Sequence, residues 1–224
     1  MNDDIGIQPH VLRGNAVWDL PDLRSDSGMW RALGYLVNDW QLSSVFNLSS
    51  GTDYNLGFSY QNNGSAVNLT GSPDFGNNGT GARIVFIGDP GSGCSSNQYA
   101  QFNTAAVMGP TYGSVGLESG RNDSLRGCMQ RNIDLSLARN ISLGGGRSVQ
   151  LRLDAFNAFN IVAFTGRQAT IQYNNPVQQA VLNPQYNDDG TVVQNRLIPQ
   201  SAGFGAVTSA AAMRSVRLLV RFGF

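Results

Sequence analysis

Histidine, cysteine and lysine, on which much enzyme catalysis depends, are scarce or absent in this chain. His10 is the single histidine, Cys94 and Cys128 are the two cysteines, and every basic residue is an arginine. A serine or cysteine nucleophile needs a base within hydrogen-bond reach, which His10 could provide only by a long tertiary approach. Schiff-base chemistry needs a lysine, and the sequence contains none. We therefore predict no catalytic residue and no enzyme activity. A hydrolase that uses His10 is the alternative, which mutation of this residue would test.

The ligand-binding motifs are also incomplete. The segment G-D-P-G-S-G-C-S-S at 88–96 has the glycines of a phosphate-binding loop but not its lysine. The segment N-D-D-G at 187–190 could offer oxygen atoms to Ca²⁺, but no glutamate follows at EF-hand spacing, and an Asx turn is the simpler explanation. One histidine and two cysteines do not form a zinc motif. The sequence therefore predicts no metal site and no cofactor.

Aromatic and acidic residues are concentrated in one polar stretch. They are Asp53, Tyr54, Phe58, Tyr60, Tyr99, Phe102 and Tyr112. Aromatic faces beside amides suit the capture of glycans or peptides, but packing of a loop onto itself accounts for them as well. The capture interpretation supports an alternative function, a secreted soluble β-rich domain that binds glycans or peptides.

Cys94 and Cys128 lie in the same long polar stretch. In an oxidising compartment, two such cysteines predict a disulfide that staples a loop. Two free thiols remain the alternative.

The last eleven residues, 214–224, have the clearest periodicity in the chain. One face of the predicted strand is wholly apolar and consists of Val216, Leu218, Val220, Phe222 and Phe224. The other face carries Arg217 and Arg221. This alternation is typical of a strand between lipid and a polar interior. A terminal strand of this kind closes bacterial outer-membrane β-barrels and, in that class, carries the signal that the assembly machinery reads.

Four upstream segments alternate in the same way and predict strands at about 10–19, 40–50, 131–141 and 147–156. An arginine on the lipid face at mid-bilayer costs about 2–4 kcal/mol, so we expect the charged face to line a polar lumen. The predicted lumen-facing residues are Asp134, Arg152, Asp154, Arg217 and Arg221. Arg139 shares the apolar face, near a strand end from which its long side chain can reach the interface.

The connections between these strands are alternately short and long. Gly144, Gly145 and Gly146 predict a tight turn, whereas residues 51–130 and 161–212 are long connections. With a periplasmic C-terminus, both long connections are extracellular and the glycine turn is periplasmic, which is the outer-membrane pattern. We expect short strands or helical turns inside the connection at 51–130, because a connection of that length without structure is uncommon.

Two further segments are expected at the membrane boundaries. The connection at 20–39 contains Met29, Trp30 and the run L-G-Y-L at 33–36, which predict an interfacial aromatic segment. At the end of the fourth strand, the phenylalanines of F-N-A-F-N at 156–160 are expected in the outer aromatic girdle, with the asparagines satisfying backbone groups.

Bulk properties narrow the class further. No apolar run is long enough for a transmembrane helix, and 15 basic against 15 acidic residues give no reason to expect nucleic acid. Met1 is followed by polar and acidic residues and not by a signal peptide. Five strands cannot close a barrel, since the smallest known has about eight, and an open sheet leaves unpaired edges in lipid. We therefore expect further strands and a plug from sequence upstream of Met1.

Several segments resemble a known family. They are W-Q-L-S-S-V-F at 40–46, S-S-G-T-D-Y at 49–54, L-T-G-S-P-D at 69–74, F-N-T-A-A at 102–106, R-L-D-A-F-N-A-F-N at 152–160, A-G-F-G-A at 202–206 and the terminal R-F-G-F. In this order they resemble the end of TonB-dependent outer-membrane receptors, in particular the Oar-like group with a carboxypeptidase-regulatory-like domain. The resemblance implies a barrel of about 22 strands with an N-terminal plug and a TonB box.

Together these observations predict an all-β chain, the C-terminal portion of an antiparallel transmembrane β-barrel in the bacterial outer membrane. Residues 1–224 would contribute about five strands and two extracellular loops, without the plug. The expected partners are outer-membrane lipid, the barrel-assembly machinery and the remainder of the receptor. TonB would be contacted only through the N-terminal part that this chain does not include.

Overall fold

The computed structural model describes residues 8–23, 28–61, 83–111 and 124–224. The strands, numbered along the chain, are β1 (Val11–Asp19), β2 (Trp40–Ser49), β3 (Asp53–Asn55), β4 (Gly57–Tyr60), β5 (Val85–Phe86), β6 (Val107–Met108), β7 (Ser124–Arg126), β8 (Gln130–Gly144), β9 (Arg147–Phe156), β10 (Phe164–Arg167), β11 (Thr170–Tyr173), β12 (Val207–Ala210) and β13 (Ser215–Gly223). The helix α1 spans Gly28–Val37, and short 3₁₀ helices span Thr104–Ala106, Gln194–Arg196 and Pro199–Ser201. The segment at 69–74, Tyr112, and the start of the chain before residue 8 lie outside the described residues.

The described chain divides into two compact units. The sheet unit comprises the described residues of His10–Ser49, Gln130–Val162 and Ala212–Phe224. The loop unit comprises Gln8 and Pro9 with the described residues of Ser50–Met129 and Ala163–Ala211. The bounds of the loop unit follow the two long connections predicted at 51–130 and 161–212.

The sheet unit is built on five antiparallel strands in the order β1-β2-β8-β9-β13. All five predicted strands are confirmed, because alternation of apolar and polar residues is the pattern of a strand with two different surroundings. The predicted glycine turn joins β8 to β9. Gly145 and Gly146 have φ angles of 61° and 80°, and positive values at both central residues are what a tight hairpin of this kind requires.

The strand register sorts side chains by polarity across the whole sheet. Directly opposite residues of an antiparallel pair share a face. In β13 and β9, Val216 lies opposite Ala155, Leu218 opposite Leu153, Val220 opposite Leu151 and Phe222 opposite Val149. On the other face, Arg217 lies opposite Asp154. The same parity continues through β8 and β2 to β1, so the sheet has one apolar face and one largely polar face.

Within the part of the chain that the structure describes, the sheet is open. Its edge strands are β1 and β13, so a closed barrel and its strand number are not seen here. The described buried hydrophobic residues all lie in the loop unit, and many apolar side chains of the sheet are exposed. Leu218 is 73% exposed and Phe222 is 63% exposed.

The helix α1 is the one departure from all-β structure that exceeds a single turn among the described residues. It occupies the connection between β1 and β2, where the sequence predicted an interfacial aromatic segment. Asn38 follows the last helical residue, and Asp39 has a φ of 64°, the left-handed conformation that commonly ends a helix. No helix among the described residues has both the length and the apolar character needed to cross a membrane.

The loop unit has its own small sheets and its own core. β3 pairs with β7, β5 with β6 and β10 with β12, all antiparallel, while β4 pairs with β11 in parallel. These pairs bury a hydrophobic cluster of Leu56, Phe58, Tyr60, Ile84, Phe102, Val107, Leu125, Ile171, Tyr173 and Phe204. The expectation of short strands or helical turns inside the connection at 51–130 is confirmed in its described residues.

Candidate functional site

The polar face of the sheet holds a charge network on its central strands. The carboxylate of Asp154 on β9 accepts hydrogen bonds from Ser136 Oγ at 2.6 Å and from Arg152 Nε at 2.7 Å. Arg217 on β13 lies directly opposite Asp154 in the register. The negative charge is therefore compensated by neighbours on three adjacent strands, which fixes its position on the face.

The other predicted lumen-facing residues lie on the same face. The Asp134 carboxylate accepts from Asn132 Nδ2 at 3.0 Å and from the backbone N–H of Asn157 at 2.8 Å. Arg221 lies opposite Gln150. Asp134, Arg152, Asp154, Arg217 and Arg221 thus share one side of the sheet, as their parity in the sequence requires. That this side lines a lumen stays a prediction.

Phe156 corrects the expectation of an outer aromatic girdle at this position. Its register places it opposite Ser215, on the same face as Asp154. The guanidinium of Arg217 lies over its ring, with Cζ 5.3 Å from the ring centroid. The girdle prediction was wrong for Phe156, because parity along the strand decides the face and position near a strand end does not.

The end of β9 is shaped by two asparagines in the left-handed conformation. Asn157 has a φ of 47°, and its amide side chain is bonded to both the N–H and the C=O of Ile161. Its Nδ2 also donates to Ala212 O at 3.3 Å. Asn160 has a φ of 52° and accepts from the N–H of Arg214. These bonds tie the end of β9 to the start of β13, as predicted for the asparagines of this segment.

The apolar face carries the residues predicted to form the assembly signal. Val216, Leu218, Val220 and Phe222 alternate on β13 and are 48–73% exposed, and Phe224 follows the strand at 99% exposed. On the opposite edge, the ring of Phe46 covers Gly14, where an added Cβ would lie 2.4 Å from the ring. An aromatic side chain that covers a glycine on a neighbouring strand protects the backbone at a sheet edge.

Arg139 is held by the helix α1 and not by solvent. Its Nη1 donates to Leu36 O at 3.1 Å, and its Nη2 donates to Tyr35 O. Its guanidinium also lies 5.9 Å from the ring centroid of Trp40, and its side chain is only 10% exposed. Arg139 is thus a cation that satisfies the last carbonyls of a helix. That its side chain reaches the membrane interface stays a prediction.

Sequence reasoning missed this helix cap, although a signal for the helix was present. Met29, Leu33, Leu36 and Val37 recur at helical spacing, which marks one side of an α-helix. The partner of Arg139 could not be read from the sequence, since about one hundred residues separate it from the two carbonyls.

Four of the aromatic residues that the sequence singled out pack together in the loop unit. Phe58, Tyr60 and Phe102 are buried, and Tyr54 packs against the same cluster. Tyr54 donates to Gly93 O at 2.8 Å, and Arg167 Cζ lies 5.0 Å from its ring centroid. These four residues therefore form a core and not an open face for glycans, which weakens the support for the alternative function. Tyr99 is half-buried and lies outside this cluster. Tyr112 lies outside the described residues.

Burial sets the ionisation of this core. Burial raises the pKa of Tyr54 to about 12, an effect that the neighbouring Arg167 partly opposes. Burial also raises the pKa of Tyr173 to about 12. Conversely, burial lowers the pKa of the Arg167 guanidinium, while Tyr54 beside it acts in the opposite direction. The loop unit thus depends on neutral phenols in its interior.

Cys94 and Cys128 are joined in a disulfide within the loop unit, with Cα atoms 4.8 Å apart and a sequence separation of 34. A covalent link across a loop of this length lowers the conformational entropy of the unfolded chain. It typically stabilises the folded state by about 2–4 kcal/mol. Arg126, two residues before Cys128, pairs with Asp53 at 3.1 Å on the adjoining strand. The disulfide and the ion pair both hold β7 in place.

The remaining candidate motifs have structural roles. The segment at 187–190 is a turn in which Asp189 Oδ1 accepts from the backbone N–H and the hydroxyl of Thr191. These bonds lower the pKa of Asp189, the hydroxyl having the larger effect. In the described parts of the chain, no three residues among His, Cys, Asp and Glu are grouped so as to hold a metal ion. His10 is exposed, one residue before β1.

Comparison with known proteins identifies the kind of domain. A family model described as "Outer membrane beta barrel domain" matches residues 4–217. Comparison with curated proteins gave no match, and comparison with solved structures gave none.

Proposed function

The chain belongs to the outer membrane β-barrel domain family, and from this membership we propose that it forms the C-terminal barrel wall of a TonB-dependent receptor. Members of this family lie in the bacterial outer membrane, and so does this protein. The resemblance of its segments to Oar-like receptors supports the receptor assignment. The role proposed for the chain is to close the barrel and to contribute loops to the substrate vestibule.

The separation of the two faces of the sheet is the observation that carries the proposal. A soluble sheet buries its apolar face against a second layer. Here the described hydrophobic core is confined to the loop unit, while Leu218 and Phe222 on the sheet are mostly exposed. A sheet with hydrocarbon against its apolar face and water against its polar face would have both faces in a favourable environment.

The edges of the sheet indicate what the chain must meet in the membrane. Unpaired backbone N–H and C=O groups in hydrocarbon cost several kcal/mol each, so β1 and β13 need partner strands. We propose that further strands of the receptor pair with both edges, and that β13 is presented to the barrel-assembly machinery before closure.

The lengths of the connections indicate which end of the sheet faces the outside of the cell. Both long connections leave the end of the sheet that is formed by Ser49, Gln130, Phe156 and Ser215. The glycine turn and the C-terminus lie at the other end. Barrels of this class have short periplasmic turns and longer outer loops, so the loop unit is proposed to be extracellular. Arg152, Asp154 and Arg217 would then face the plug or the passing substrate.

The barrel assignment is tested by neighbouring residues on opposite faces. In outer membranes that contain the assembled protein, Arg217→Cys should react with a water-soluble maleimide and Leu218→Cys should not. The native cysteines are paired, so the reagent reports the introduced thiol alone. Equal labelling of the two variants would contradict a membrane-spanning sheet.

The receptor assignment needs a second experiment. A photo-crosslinking residue at Arg221 of the assembled receptor should form links to the plug, identified by mass spectrometry, whereas one at Phe222 should not. Absence of plug links from Arg221 would count against a TonB-dependent receptor while leaving a barrel wall intact.

A further inference from the structure

The helix α1 presents an apolar stripe to its surroundings. At about 100° per residue, Met29, Leu33, Leu36, Val37 and Trp30 fall within one side of the helix. Their exposed fractions run from 38% at Leu33 to 71% at Met29. Large apolar side chains exposed together on one side of a short helix mark an interaction surface.

The orientation of the helix is fixed by contacts of Gly34, which borders the stripe, and of Asn38, which follows the helix. Gly34 is buried, and a Cβ added there would lie 3.1 Å from Leu23 O. The Asn38 side chain accepts from Leu23 N–H at 2.7 Å and donates to Leu23 O at 3.1 Å. Rotation of the stripe toward the protein would break these contacts and those of Arg139 with the last turn.

The end of the helix is attached to the apolar face of the sheet. Arg139, which binds the carbonyl of Leu36, shares its face with Leu137 and Leu135. The indole N–H of Trp40, on the same face, also donates to Leu36 O at 2.9 Å. Tryptophan is enriched at membrane–water interfaces, and Trp18 on the neighbouring strand is 61% exposed on that face. The last turn of the helix, which carries Leu36 and Val37 of the stripe, therefore adjoins the surface assigned to lipid.

We propose that α1 is an interfacial helix that inserts its Met29-Trp30-Leu33-Leu36-Val37 stripe into the inner leaflet of the outer membrane. The inference rests on the proposed barrel for its side of the membrane. The occupant of the stripe is phospholipid at the boundary of headgroups and acyl chains, at a depth of about 5–10 Å. A helix seated there would fix the depth of β1 and β2 in the bilayer through Arg139 and Trp40.

Nitroxide labels on introduced cysteines test the proposal in native outer membranes. Leu33→Cys lies on the stripe, and Tyr35→Cys lies on the opposite side of the same helix, where the side chain is 75% exposed. Leu218→Cys serves as the reference for the apolar face of the sheet. Accessibility to oxygen, which concentrates in lipid, is compared with accessibility to a water-soluble nickel chelate.

We expect the ratio of oxygen to nickel accessibility at Leu33 to exceed that at Tyr35 several-fold and to approach that at Leu218. A label at Leu33 that is open to nickel, beside a lipid-exposed Leu218, would overturn the helix proposal alone. Protection of Leu33 from both reagents would show a protein occupant and would also overturn it. A water-exposed Leu218 would contradict the proposed barrel itself. If Leu33→Cys does not assemble, Val37→Cys on the same stripe gives the same comparison.

Discussion

At the scale of single residues, Arg139 shows how a cation is accommodated on an apolar face. Replacement by methionine removes hydrogen bonds to the carbonyls of Leu36 and Tyr35, and charge-assisted bonds are worth about 1.5–3 kcal/mol each. Placing an arginine near the membrane interface costs only about 0–1 kcal/mol, so removing its charge stabilises the protein by no more than that. Loss of the bonds should therefore dominate. In Arg139→Met, hydrogen exchange in the last turn of α1 should accelerate, while amides of β8 and β9 keep their protection.

The matched control is Arg131→Met. Arg131 lies on the same strand and face, opposite Leu48, at the end of β8 away from the helix. This variant removes an equal charge without touching α1, so exchange in the helix should stay as in the native protein. Equal acceleration in both variants would show that charge, and not the helix cap, determines the stability of α1.

Asn157 makes a second prediction at this scale. It is 8% exposed, and its side chain satisfies both backbone groups of Ile161. Asn157→Gly keeps the left-handed backbone but loses the bonds, at a cost of about 1–3 kcal/mol for the groups left unpaired. Asn157→Ala also pays about 1–2 kcal/mol for the positive φ. Thermal unfolding of the assembled protein should rank native above Asn157→Gly, and Asn157→Gly above Asn157→Ala. An alanine variant as stable as the native protein would refute this account.

At the scale of elements, the core of the loop unit should be sensitive to alkali. An unfolded tyrosine loses its proton near pH 10, whereas Tyr54 and Tyr173 keep theirs until about pH 12 in the folded unit. Between these values the unfolded state binds fewer protons, so the free energy of unfolding falls as pH rises. Below about pH 10 both phenols are neutral in either state, and this contribution is constant.

Two measurements check the alkaline effect. The phenolate absorbance of the native protein should show a late phase that disappears in denaturant. The urea midpoint, followed by the near-ultraviolet circular dichroism of tyrosine, should fall across the same pH window. Tyr54→Phe removes one of the two groups and should make that fall shallower. A midpoint that does not change with pH would contradict the buried, neutral phenols.

The five main strands could be predicted from the sequence because their signal is local. Residues 147–156 alternate strictly between two surroundings, and period two then fixes both strand and face. The same rule predicted that Asp134 and Arg221 share one side of the sheet, which the register confirms. The face of Phe156 was missed where position near a strand end was given more weight than parity.

The helix and the loop unit could not be predicted to the same depth. α1 is short, and its segment is apolar enough to suit several structures. The core of the loop unit joins Leu56 and Phe58 to Ile171 and Phe204. The first two residues precede the last two by more than one hundred positions in the sequence. Such pairings depend on tertiary packing, for which a single sequence has no periodic signal. For the same reason, the sequence left open whether Cys94 and Cys128 pair.

At the scale of the whole molecule, the two units differ in how their apolar side chains are kept from water. The loop unit buries its own apolar side chains, as a water-soluble domain does. The sheet unit buries no comparable core among its described residues and leaves its apolar face open. We therefore expect folding of the sheet, but not of the loop unit, to depend on insertion in lipid.

Substitution of Phe224 should affect assembly in the membrane more than the stability of the assembled protein. Phe224 is 99% exposed, so its removal breaks almost no contact within the chain. In Phe224→Ser the assembled, heat-modifiable fraction in the outer membrane should fall several-fold, while Phe224→Tyr, which keeps the ring, should assemble nearly as well as the native protein. Loss of lipid burial alone would cost about 1.5–3 kcal/mol and would show in the unfolding of molecules that do assemble. Met213→Ser is the matched control, because Met213 is 79% exposed but precedes β13. Normal assembly of Phe224→Ser would contradict a role for Phe224 in the assembly signal.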